Sequence, residues 1–177
     1  MRSYLADEAK SSEFITQASL RQGALGFIGH APVLGMTDPP NTSYGLAFVD
    51  KYLVRQHEPQ WGHPQGLDKT HVLPGPIPTN APVIFVAACK PGNTFLELWD
   101  IQASTPNRSL IVPVGDHSDT DLYQAAQAWI EILDILSQGG TVFQAVSRAN
   151  DVLANLIQGP LRFRVIGGDE GRDVRIK

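Results

Sequence analysis

Cys89 is the only cysteine in the chain, and it closes the apolar run Val83 to Cys89 (VIFVAAC). A second apolar run, Ala24 to His30 (ALGFIGH), closes on an imidazole. A thiol activated by a neighbouring imidazole is a nucleophile toward carbonyl carbon, the starting point of acyl-transfer chemistry. The two can meet if both runs are adjacent strands of one parallel sheet. His30 and Cys89 then emerge side by side at its carboxyl edge, where open α/β sheets carry their ligand sites. Taken singly, each residue has a plainer explanation. An unpaired cysteine is commonly a core thiol, and a histidine after an apolar strand is commonly a hydrogen-bonded structural group. The pair, in this order, is what points to chemistry.

Three further histidines, His57, His63 and His71, fall in the stretch 56–82, which is rich in Pro and Gly. Their spacing matches no helical or hairpin geometry that would bring three ligands onto one metal ion. No metal site and no cofactor is therefore expected. A loop that long inside a compact domain is commonly functional, and here it reads as a cover for substrate or a surface for a partner.

The elements that must position the pair can be read from apolar periodicity. Asp7 to Leu20 is a weak helix with Phe14, Ile15 and Ala18 on one side, and strand Ala24 to Gly29 follows it. Leu46 to Val54, broken by Asp50-Lys51, reads as a strand or short hairpin. After Val83 to Ala88 come a short helix, Thr94 to Ile101, and a third buried run, Ser109 to Val114. Lys90-Pro91-Gly92 keeps a regular helix from starting at the thiol, which argues against an α/β-hydrolase elbow and against an amidotransferase. Thr120 to Ser137 is the clearest helix, with an apolar stripe of Leu122, Ala125, Ala126, Trp129, Leu133 and Leu136. Gly139-Gly140 ends it, and Thr141 with Gln144 forms a capping box for the next helix. Leu161 to Ile166 alternates like an edge strand. Trp99 and Trp129 sit on apolar faces and read as packing.

The expected fold class is α/β, a mostly parallel sheet flanked by helices on both faces, in one domain spanning 1–177 with an irregular stretch at 56–82. The chain has 177 residues and a net charge of −4, and its Lys and Arg are scattered singly. Without a basic cluster to follow a phosphate backbone, nucleic acid is an unexpected partner. The polar start MRSYLADEAKSSEF and the lack of any apolar run of membrane-spanning length predict a soluble, cytoplasmic protein away from membranes.

The pieces FIGH, VIFVAACKPG, SLIVPV, GGTVFQAVSRAN and FRVIGGD, in that order over roughly Ala24 to Asp169, resemble the caspase-hemoglobinase fold, and within it the CHAT branch. The resemblance implies a cysteine endopeptidase, a thiol protease acting on a protein or peptide substrate. His30 would be the general base and Cys89 the nucleophile. The backbone N–H groups of Ala31 and Cys89 would form the oxyanion hole. Asp116 and Asp119, just past the third strand, would shape the pocket for the residue before the cut and favour Arg or Lys there. Asp116 and Asp119 also read as charges at a helix amino terminus.

The sequence departs from the family pattern at Ala31-Pro32, where relatives usually carry Gly, and at Ala87, often Asp or Ser. The two strands and helix that open a complete fold of this class are not found before Ala24. These departures carry the alternative reading, an inactive CHAT-like scaffold working through protein contacts. They also imply a partner subunit or further domain that completes the sheet at its amino-terminal edge.

Overall fold

The computed structural model describes residues 10–20, 23–29, 33–34, 43–44, 46–48, 50, 52–55, 70–88, 96–114, 121–156, 160–172 and 174–176. In chain order the elements are α1 (Ser11–Leu20), β1 (Ala24–Ile28), β2 (Val33–Leu34), β3 (Ser43–Tyr44), β4 (Leu46–Ala47), β5 (Tyr52–Arg55) and β6 (Thr70–Leu73). They continue with β7 (Val83–Ala87), α2 (Leu96–Trp99), β8 (Ser109–Pro113), α3 (Leu122–Ser137), α4 (Val142–Leu156) and β9 (Phe163–Ile166).

The principal sheet has the order β1-β7-β8-β9. β1 pairs with β7 in parallel and β7 with β8 in parallel, but β9 runs antiparallel to β8. The sheet is therefore mixed, not mostly parallel as the apolar runs predict. The reason is the number of helices between β8 and β9. α3 carries the chain from the carboxyl edge to the amino edge, and α4 carries it back, so β9 starts at the carboxyl edge and must run the other way. Two smaller sheets add to this: β2 with β3, antiparallel, and β4-β5-β6, in which β4–β5 is antiparallel and β5–β6 parallel. The β4–β5 pair is the hairpin expected around Asp50-Lys51. β6 lies inside 56–82, so that stretch is not irregular throughout.

Side chains along β7 and β8 are all buried and alternate between two cores, because successive strand residues point to opposite faces. Ile84, Val86, Leu110 and Val112 face one core with Ala18 of α1 and Leu98 and Trp99 of α2. Val83, Phe85, Ala87 and Ile111 face the other with Ala125, Ala128, Ile132 and Leu136 of α3 and Ala145, Val146, Ala149 and Leu153 of α4. Helices thus cover both faces. On the α1 side, Phe14, Phe27 and Phe48 form a cluster with ring centroids 5.1 to 6.1 Å apart. The Asp50 carboxylate accepts from the Ser11 N–H at 2.8 Å and the Ser11 hydroxyl at 3.1 Å, tying the hairpin turn to the amino end of α1.

On the other face α3 lies over the seam between β1 and β7. The Trp129 indole stacks on Phe85 at 4.9 Å and fits against Gly26, where an added Cβ would lie 2.7 Å from the ring. A side chain at position 26 would push α3 off the sheet, which is why the strand has glycine there. The capping box of α4 is as expected: Thr141 Oγ1 accepts from the Gln144 N–H at 3.2 Å, and Gln144 Oε1 accepts from the Thr141 N–H at 2.9 Å. The stripe expected on α3 is rotated. Its core face is Ala125, Ala128, Ile132 and Leu136, whereas Leu122 and Ala126 are exposed and Trp129 and Leu133 half-buried. Trp99 is buried, as expected for packing.

After β9 the backbone makes a left-handed turn, with positive φ at Gly167, Gly168, Asp169, Glu170 and Gly171. Gly168 fits because an added Cβ would stand 2.4 Å from Val174. Ser109 Oγ donates to the Gly167 carbonyl at 3.3 Å and holds this turn against the start of β8.

Candidate functional site

The carboxyl edge of β1, β7 and β8 is assembled by register. Ala24 pairs with Val83 and Ile28 with Ala87, so β1 and β7 end level with each other. The Gly29 N–H donates to the Ala87 carbonyl at 3.0 Å, extending the ladder one step past β1. Residues 83 to 88 are all buried, which fixes the end of β7 in the core right up to Ala88. β8 ends on the same edge, and the Val114 N–H donates to the Arg162 carbonyl at 2.8 Å, locking that end to the lead into β9.

The five residues expected to do the chemistry, His30, Ala31, Cys89, Asp116 and Asp119, lie outside the described residues. The described chain reaches Gly29 on one strand and Ala88 on its parallel neighbour, one residue short of His30 and Cys89 respectively. It reaches Val114 on the third strand, two residues short of Asp116. Of the three histidines in the 56–82 stretch, His71 falls in β6, and His57 and His63 lie outside the described residues. Among the described residues, no group of three or more His, Cys, Asp or Glu is arranged to hold a metal ion.

Sequence reasoning missed Asp121, which organises this edge. It is the N-cap of α3, and its Oδ1 accepts from the N–H groups of Tyr123 at 2.9 Å and Gln124 at 3.0 Å. The Gln124 backbone N–H, the largest influence, holds the Asp121 carboxyl below the ordinary aspartate value; desolvation, next in size, opposes it, and the Gln124 amide and the Tyr123 N–H add lesser lowering. Gln124 Nε2 donates to Asp121 Oδ2 at 3.2 Å, while Gln124 Oε1 accepts from the Leu161 N–H at 2.7 Å. One buried glutamine thus ties the start of α3 to the approach of β9. The signal was present as Asp121 three residues before Gln124 at the head of an apolar periodicity.

A second pair of bonds fixes β9. Asn150 on α4 donates from Nδ2 to the Phe163 carbonyl and accepts at Oδ1 from the Phe163 N–H, each at 2.9 Å. The described part of the carboxyl edge thus combines strand ends in register, a capped helix and two side-chain clamps.

No family model matches this chain, and neither does any curated protein or solved structure. Among the described residues no helix is long and apolar enough to cross a membrane.

Proposed function

We propose that this chain is a cysteine endopeptidase of the caspase-hemoglobinase type, with a CHAT-like arrangement, using His30 as general base and Cys89 as nucleophile. The observation that carries the reading is the parallel β1–β7 pairing with Ile28 opposite Ala87. Each reactive residue follows its strand's last residue by two positions in the sequence, which supports a shared site at this edge. The β8 end lies on that edge too, which supports Asp116 and Asp119 as the residues that receive a basic side chain before the cut.

The chemistry runs in two stages. The Cys89 thiol gives its proton to the His30 imidazole, and the thiolate attacks the peptide carbonyl carbon. The oxyanion accepts hydrogen bonds from the backbone N–H groups of Ala31 and Cys89. Collapse breaks the C–N bond, the imidazolium protonates the leaving amine, and a thioester remains. Water, deprotonated by His30, then hydrolyses the thioester and restores the thiol.

Incubation with peptide libraries carrying Arg or Lys before the scissile bond tests the assignment. Cleavage that is lost in both Cys89→Ala and His30→Ala is the expected result. The second reading, an inactive CHAT-like scaffold, is favoured by Ala31-Pro32, since proline restricts the backbone that a substrate would approach. It predicts no cleavage and a Cys89→Ala variant with full biological activity.

A further inference from the structure

We propose that the chain forms a two-fold homodimer in which β1 pairs antiparallel with β1 of a second copy and the two α3 helices pack side by side. The proposal stands apart from the chemistry of Cys89. β1 is the terminal strand of its sheet, and among the described residues nothing pairs with its outer side. Its sequence, ALGFI, has none of the charges or prolines that usually blunt an exposed strand edge.

The flank of α3 on the same side of the molecule is apolar. Trp129, which reaches Gly26 on β1, sets the direction of that flank, and the helical period puts Leu122, Ala126, Ile130 and Leu133 along it. Leu122 is 46% exposed and Ile130 60%. The opposite flank, with Glu131 against Arg148, faces α4. No charged side chain falls on the β1 side of the helix between Leu122 and Leu133, so two copies meet there without burying a charge or opposing like charges.

The spacing fits a second copy. A two-fold axis perpendicular to the sheet keeps both α3 helices on one face. With strands about 4.8 Å apart and α3 over the β1–β7 seam, the two helix axes come roughly 10 Å apart, matching the usual packing distance of about 8–10 Å. Centring the pairing on Gly26 sets Ala24 of each copy opposite Ile28 of the other and brings the two Ile130 side chains near the axis. Covering the strand edge and the exposed parts of Leu122, Tyr123, Ala126 and Ile130 removes on the order of 500 Å² from each copy, reaching the lower bound of about 1,000 Å² for specific association. One self-complementary patch thus satisfies a ladder edge and an apolar helix flank together.

Sedimentation velocity and light scattering on the purified chain at micromolar concentration test this. The native chain is expected at twice its own mass, and Ile130→Glu, at an exposed position, at monomer mass with an unchanged far-ultraviolet circular dichroism spectrum. That substitution should raise the dimer dissociation constant about 30-fold or more. In a Cys89→Ser background, Ile130→Cys should form a disulfide-linked dimer under mild oxidation, while Phe143→Cys, exposed on α4, should not. A native chain that stays monomeric, an Ile130→Glu variant that stays dimeric, or a cross-link at Phe143→Cys and none at Ile130→Cys overturns the proposal.

Discussion

Gly26→Ala tests the contact that seats α3 on the strand leading to His30. The new methyl would stand 2.7 Å from the Trp129 ring, and ordinary contact begins at 3.4 Å, so the indole must retreat by about 0.7 Å. The ring cannot retreat freely, because it stacks on Phe85 with an interplanar angle of 18°. Overpacking costs about 1–3 kcal/mol, loss of an aromatic stack about 0.5–1.5 kcal/mol, and the conformational gain of Ala over Gly returns about 0.5–1 kcal/mol. The net expectation is a loss of about 2 kcal/mol. Urea unfolding at fixed protein concentration, followed by circular dichroism, measures it in the native chain and in Trp129→Leu. In the latter background the cost should fall below about 0.5 kcal/mol, giving a coupling of about 1.5 kcal/mol. Equal costs in both backgrounds would refute the reasoning.

Two further predictions concern the clamps at the same edge. Asn150→Ala leaves the N–H and carbonyl of Phe163 without their side-chain partner, and the urea midpoint should drop by the equivalent of about 2 kcal/mol, with Asn150→Asp falling between the two. Because the folded value of Asp121 lies below its ordinary 3.8, its contribution is complete above that value and disappears as pH falls through the lowered one. The stability difference between the native chain and Asp121→Asn, followed from about pH 6 to about pH 2, should therefore shrink on acidification.

The strands that frame the proposed site were legible because they are long apolar runs, and β7 and β8 are buried on both faces as such runs require. The β4–β5 hairpin and the α4 capping box were legible from Asp50-Lys51 and from Thr141 with Gln144. The direction of β9 was not deduced, although two helices between β8 and β9 already imply a reversal. β6 escaped because four residues between prolines and glycines carry too little periodicity. The α3 stripe was displaced for a physical reason: the helix is apolar over more of its circumference than one sheet can cover. Leu122 and Ala126 look like core in the sequence and lie exposed in the structure, whereas Trp129 packs on Phe85 and Gly26 as its place in the stripe suggests. Asp121 was passed over for Asp116 and Asp119, although only Asp121 stands at the N-cap distance from Gln124. The residues proposed for chemistry lie outside the described residues; what the sheet register gives is a common edge for the strands that precede His30 and Cys89.

The pH dependence of Cys89 alkylation, compared between the native chain and His30→Ala, tests the central claim most directly. The account predicts a thiol that titrates below the free-cysteine value of about 8.5 in the native chain and returns toward it when the imidazole is removed. Superimposable profiles, or a thiol inert in both proteins, would contradict it.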